Sequence, residues 1–178
     1  MDTRMSHQPD RISALLALDW GTTSPRAFLL AEDGSVLESR ASGHNIQNLP
    51  QAGEAGFRQA FAAIAGSWLA GWPQLPVVAG GMVGSAQGWR EAPYAECPAD
   101  LDALAAQGVS VDTGLGRRML IAPGLIHRPS DAAPDVLRGE EIQIAGALAQ
   151  HAEWREHACM VLPGTHSKGA VGVSCCRF

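Results

Sequence analysis

The chain opens with apolar runs separated by tight polar turns. Residues 12–19 (ISALLALD) form an apolar run closed by an acid, small residues follow, and residues 26–31 (RAFLLA) form a second run. Asp33-Gly34 then precedes a third segment, SVLESR at 35–40. Asp-Gly between two strand-like runs is a hairpin signal, because glycine takes the positive φ that such a turn needs. The pattern predicts a three-stranded antiparallel meander whose first strand is apolar enough to be central. Past a loop at 43–50, Phe57, Phe61, Ile64, Trp68 and Leu69 recur at helical spacing and predict an amphipathic helix over 53–70. Pro73 and Pro76 punctuate the chain before LPVVAGG (75–81), which reads as a short buried strand parallel to the first.

Residues 81–98 (GMVGSAQGWREAPYAECP) are rich in Gly, Pro and single aromatics, the composition of a long functional loop. Residues 100–107 suit a short helix and Arg118 to Ala122 a strand. The polar, Pro-terminated stretch 130–134 reads as a hinge before Val136. A helix is predicted from about Gly139 to Gln150, with Ile142, Ile144, Ala145 and Leu148 as its apolar positions. Met160 to Leu162 reads as a strand entering a second small-residue turn at Pro163-Gly164-Thr165. Three antiparallel strands, a helix and a parallel strand describe an α/β layer of the ribonuclease-H-like kind. The expected organisation is one such N-terminal domain over 11–135 and the start of a second over 136–178.

Composition narrows the partners. The net charge is -5 and like charges do not cluster, so the basic footprint required by nucleic acid or an anionic membrane is missing. A small anionic substrate would have to be held locally, by backbone amides, hydroxyls and a few Arg or Lys. Cys97, Cys159, Cys175 and Cys176 lack CxxC spacing and follow no secretory segment, which predicts cytosolic thiols and a soluble, cytoplasmic protein. Self-association with further copies of the chain stays open.

Three short segments carry candidate chemistry. Asp19-Trp20-Gly21-Thr22-Thr23, at a strand end, gathers a carboxylate, two hydroxyls and several amides around one point. That set can bind phosphate, and Asp19 can hold Mg²⁺ through water, since this ion keeps most of its hydration shell. An ordinary hairpin turn would use the same residues. Arg138-Gly139-Glu140-Glu141 places acids in the first turn of a helix, which favours the helix whatever the function. Beside a nucleotide, one of them could take the proton of an attacking hydroxyl, and Arg138 could pair with a substrate carboxylate. Pro163-Gly164-Thr165-His166-Ser167-Lys168 lacks P-loop spacing but offers hydroxyls, amides and an ammonium; a plain surface turn is the alternative. His151 and His157, among Glu153 and Glu156, suit a solvated helical face rather than a metal site.

Together, ALDWGTTSPRAFLL, PVVAGGMVGSAQGWREAPYAECPA, IAPGL, PDVLRGEEIQIAGAL and VLPGTHSK occur in an order and spacing that resembles the 2-dehydro-3-deoxygalactonokinases, from Leu15 to Lys168. The resemblance implies two ribonuclease-H-like domains closing around ATP and a sugar acid. The implied reaction is phosphorylation of the 6-hydroxyl of 2-dehydro-3-deoxy-D-galactonate in galactonate breakdown. By the same resemblance Asp19, Gly21, Thr22 and Thr23 form the first phosphate motif, and Gly164, Thr165, His166, Ser167 and Lys168 the second. Glu140 would be the catalytic base, with Glu141 as the other candidate. Ser85, Gln87, Trp89 and Tyr94 would line the sugar-acid pocket. Pro25 stands where the family usually has a leucine-like residue.

After Lys168 the sequence departs from the family pattern, and the vicinal Cys175-Cys176 before Phe178 suggests a shifted reading frame or truncated gene. The expected consequences are a missing adenine pocket and exposure of Ile142, Ile144 and Leu148. The alternatives are a non-catalytic sugar-acid-binding domain and another sugar kinase of the same fold.

Overall fold

The computed structural model describes residues 13–155, 158–163, 168–173 and 175–177. The N-terminal meander forms as its turn residues dictate: β1 (Ser13–Trp20), β2 (Pro25–Ala31) and β3 (Val36–Ala41) pair antiparallel in sequence order. After α1 (Gly53–Gly71), β4 (Val77–Gly80) returns parallel to β1, so β1 is central. The loop that follows contains a 3₁₀ turn at Met82–Gly84 and ends in β5 (Tyr94–Glu96). Then come α2 (Leu101–Ala106), β6 (Val109–Asp112), β7 (Arg118–Ile121), β8 (Gly124–His127) and β9 (Asp135–Leu137). The main sheet has the order β3-β2-β1-β4-β7-β6, with β7 parallel to β4 and β6 antiparallel to β7; β5, β8 and β9 make a smaller sheet. α3 (Glu140–Gln150) leads to a third sheet, β10 (Cys159–Leu162), β11 (Lys168–Val173) and β12 (Cys175–Arg177).

Strand alternation assigns the core. Leu16, Leu18 and Trp20 of β1, Ala27 and Leu29 of β2, Val77 and Ala79 of β4, and Met119 and Ile121 of β7 face one side. Phe57, Phe61, Ile64, Trp68 and Leu69 of α1 cover them, as the helical spacing predicts. Trp20, Phe57 and Trp89 meet at the active end of this layer, with ring centroids 5.7–6.0 Å apart.

Residues 130–134 are exposed and irregular, and β9, which pairs with β8, follows them. One expectation changes. On α3 only Ile142 is exposed as expected. Ile144 is buried and Leu148 partly so, because Ala95, Leu125 and Leu137 of the smaller sheet provide an apolar surface for them. No helix among the described residues is long and apolar enough to cross a membrane.

Candidate active site

The first turn is built by the β1–β2 hairpin. Burial of Trp20 on the core face leaves Asp19 on the opposite face, with its side chain 37% exposed. Register sets Asp19 opposite Arg26, whose guanidinium donates to Asp19 Oδ2. A pair this exposed contributes about 0–1 kcal/mol, so its effect is orientation more than stability. The amides of Gly21 and Thr22 make no hydrogen bond among the described residues. Thr22 and Thr23 are exposed, and the Thr23 carbonyl accepts from Asn45 Nδ2 at 2.9 Å, which ties the turn to the 43–50 loop.

The Arg138–Glu140 corner comes to meet this turn. Gly139 has φ 113° and Gly81 φ 93°, backbone conformations that side chains disfavour. A Cβ on Gly139 would sit 3.2 Å from Gly81 Cα, and one on Gly81 would sit 3.1 Å from the Trp20 carbonyl oxygen. The two glycines thus bring the ends of β1 and β4 and the start of α3 to backbone contact. Glu140 Oε2 accepts from the Arg138 amide at 3.1 Å, and Glu141 Oε2 from the Gly139 amide at 2.6 Å.

One cleft of about 220 Å³ results. Asp19, Gly21 and Thr22 line one part of it and Arg138, Gly139 and Glu140 another; Leu162 and Pro163, at the end of β10, also reach it. Two of the three segments singled out in the sequence therefore converge. Of the third, Gly164, Thr165, His166 and Ser167 lie outside the described residues, and Lys168 begins β11.

The sugar-pocket candidates separate. Gln87 lines a different groove, with Ile46, Gln47 and Gln51. Ser85 Oγ donates to the Met82 carbonyl at 2.8 Å, closing the 3₁₀ turn. Trp89 is placed in the core, 6% exposed and stacked on Phe57, not on a pocket wall. Tyr94 lies under Arg138, whose guanidinium carbon is 4.1 Å from the ring centre. Arg138 also donates from Nη2 to the Ala92 carbonyl at 2.9 Å and from Nε to the Tyr94 hydroxyl at 3.2 Å, and Nη1 is buried. The guanidinium is thus turned toward the 81–94 loop and tied to it, while Arg138 also lines the cleft.

Sequence reading missed Arg26 and Gln143. Arg26 is the register partner of Asp19, legible once the hairpin is placed. Gln143, three residues after Glu140, shares its helical face and lines the same cleft.

Glu141 is 1% exposed, and burial, reinforced by Glu140, pushes its carboxyl up to about 7 against the opposing pull of backbone N–H groups and Arg138. A carboxyl whose folded value lies above its unfolded one favours the protonated form in the fold. Stability is therefore full below about pH 4.5 and falls as pH rises through about 7. Across that window the loss is about 3 kcal/mol, and Glu141→Gln is expected to remove the slope. Urea unfolding at pH 5 and pH 8 checks this; an unchanged slope in the variant contradicts it.

Comparison with known proteins places the chain in a family. The chain is 39% identical over 155 residues to a Rhizobium meliloti (strain 1021) protein assigned as a 2-dehydro-3-deoxygalactonokinase, covering 85% of this chain and 47% of that one. It is 37% identical over 153 residues to the 2-dehydro-3-deoxygalactonokinase of Escherichia coli (strain K12), covering 86% of this chain and 47% of that one. A crystal structure from Sinorhizobium meliloti, assigned to a 2-dehydro-3-deoxygalactonokinase, superposes with a TM-score of 0.70 at 34% identity, over 92% of this chain and 51% of that one. The family model for 2-keto-3-deoxy-galactonokinase matches residues 19–172, and the chain belongs to that family. It spans about half the length of the curated relatives it matches.

Proposed function

We propose that the chain carries the catalytic half-site of an ATP-dependent kinase that phosphorylates the 6-hydroxyl of 2-dehydro-3-deoxy-D-galactonate. The observation that supports this most is the single cleft shared by the Asp19–Thr22 turn and Glu140. Phosphoryl transfer asks a protein mainly for positioning and charge neutralisation, and these residues supply the positioning and the donors for phosphate oxygens. The Gly21 and Thr22 amides and the Thr22 hydroxyl are donors for phosphate oxygens. Glu140, whose Oε2 accepts from the Arg138 amide, would accept the proton of the substrate hydroxyl.

Asp19 suits Mg²⁺ held through water: it is a single, partly exposed carboxylate, and no cluster of three or more metal-ligating side chains exists among the described residues. When bound, the ion would neutralise phosphate charge. Arg26 would keep the Asp19 carboxylate turned to the cleft mouth. Gly164 to Lys168, which follow Pro163 at the cleft, are assigned the second phosphate contact. The order β3-β2-β1-β4-β7, with the first three strands antiparallel and the rest of that run parallel, supports the ribonuclease-H-like reading, with a second such unit starting at about residue 136.

The test is incubation of the chain with MgATP and a panel of sugar acids, the product being read by phosphorus–proton coupling. ADP release that depends on 2-dehydro-3-deoxy-D-galactonate, with phosphorus coupled to the C6 protons, is expected. ADP release indifferent to the sugar acid, or phosphate on another carbon, overturns the reading.

A further inference from the structure

Glu141 differs from every other carboxylate near the cleft in being almost fully enclosed. One oxygen, Oε2, accepts the Gly139 amide at 2.6 Å, and the other, Oε1, is buried without a partner. Gly139 is the residue whose approach to Gly81 brings α3 against the end of β4, and it is flanked by Arg138 and Glu140, both of which line the cleft. A solvated acid at the first helical turn would stabilise the helix equally well without entering the interior. Burial of this one costs solvation that only a specific fixed contact offsets.

We propose that Glu141 is the positioning residue of the cleft, its buried carboxyl locking the Gly139 backbone so that Glu140 stands at a fixed distance from the Asp19 turn. Its role in turnover rests on the kinase reading above; its structural part does not. The charged groups acting on it are Glu140 on its own helix and Arg138 at the end of β9. Burial and Glu140 oppose the ionised carboxyl while the Gly139 N–H favours it, so a change in the charge of Glu141 is felt directly at the Gly139 amide.

Amide NMR on the whole chain tests the lock without any need for activity. In the wild type the Gly139 and Gly81 amide resonances should shift together with one midpoint near pH 7. Glu141→Gln, which keeps the acceptor, should give flat profiles at wild-type positions. Glu141→Ala should speed Gly139 amide exchange at least tenfold and displace Gly81. Gly139 and Gly81 resonances that are indifferent to pH and to Glu141→Ala overturn the proposal, since a carboxyl that merely packs would leave them unmoved. In the sugar-acid assay, Glu141→Ala should lower kcat about tenfold with KM within twofold, and Glu141→Gln should restore kcat. Equal losses in both variants overturn the positioning role. A wild-type chain without phosphoryl transfer defeats the kinase reading, and the amide result then decides the lock by itself.

Discussion

Glu140→Gln is expected to lower kcat for sugar-acid phosphorylation by about 10²–10⁴-fold, the range contributed by a general base, with KM nearly unchanged. The amide keeps the shape of the side chain and can still accept from the Arg138 backbone at the position Glu140 Oε2 now occupies. What it cannot do is take a proton as the substrate hydroxyl attacks. Loss confined to kcat therefore separates proton transfer from binding. Glu141→Gln is the internal control: Glu141 is enclosed and does not line the cleft, so kcat of this variant at pH 7 should stay within about threefold of wild type. The result is read from initial rates of ADP formation over a range of sugar-acid concentrations. A drop for Glu141→Gln with no drop for Glu140→Gln would exchange the two assignments.

Trp20→Ala is expected to cost about 3–5 kcal/mol of stability, the usual loss for removing a fully buried large aromatic. Trp20 is fully buried and packs on Phe57 and Trp89, which come from α1 and the loop after β4. The cavity would open where three elements meet, so little of it can close by local collapse. Damage should also reach the cleft, because Trp20 follows Asp19 and its carbonyl lies against Gly81. Chemical denaturation measures the loss, and Trp72→Ala, at an exposed position, should change stability by less than about 0.5 kcal/mol. Similar small effects at both positions would contradict the assignment of this aromatic cluster as the base of the site.

The meander, α1 and the parallel β4 were legible because each carries its own local signal: Asp33-Gly34 fixes one hairpin, and Phe57 to Leu69 repeat with a helical period. Strands β5, β6, β8 and β9 were not read, since three or four residues are too few to display alternation. β5 also lies inside a Gly- and Pro-rich stretch that reads as loop throughout. Ile144 was expected at the surface for want of a second domain to cover it, and the smaller sheet made of those short strands covers it instead.

The cleft was legible where local chemistry marks a segment by itself, at Asp19–Thr22 and at Gly139–Glu140. It was illegible where a side chain's surroundings are set by a residue far along the chain. The hold of Arg138 on Tyr94 could not be read because the two are 44 residues apart in sequence. Trp89 looked like a pocket aromatic because nothing local says that it stacks on Phe57. Glu141 reads as a solvated first-turn acid, and only the packing of α3 against the rest of the chain encloses it.

The most direct test of the shared cleft is titration of the chain with MgATP while backbone amide resonances are followed. The account predicts that shifts concentrate at Gly21, Thr22, Gly81, Gly139 and Glu140, and that Asp19→Asn weakens them together. Shifts that spare either the Asp19 turn or the Glu140 corner would contradict it.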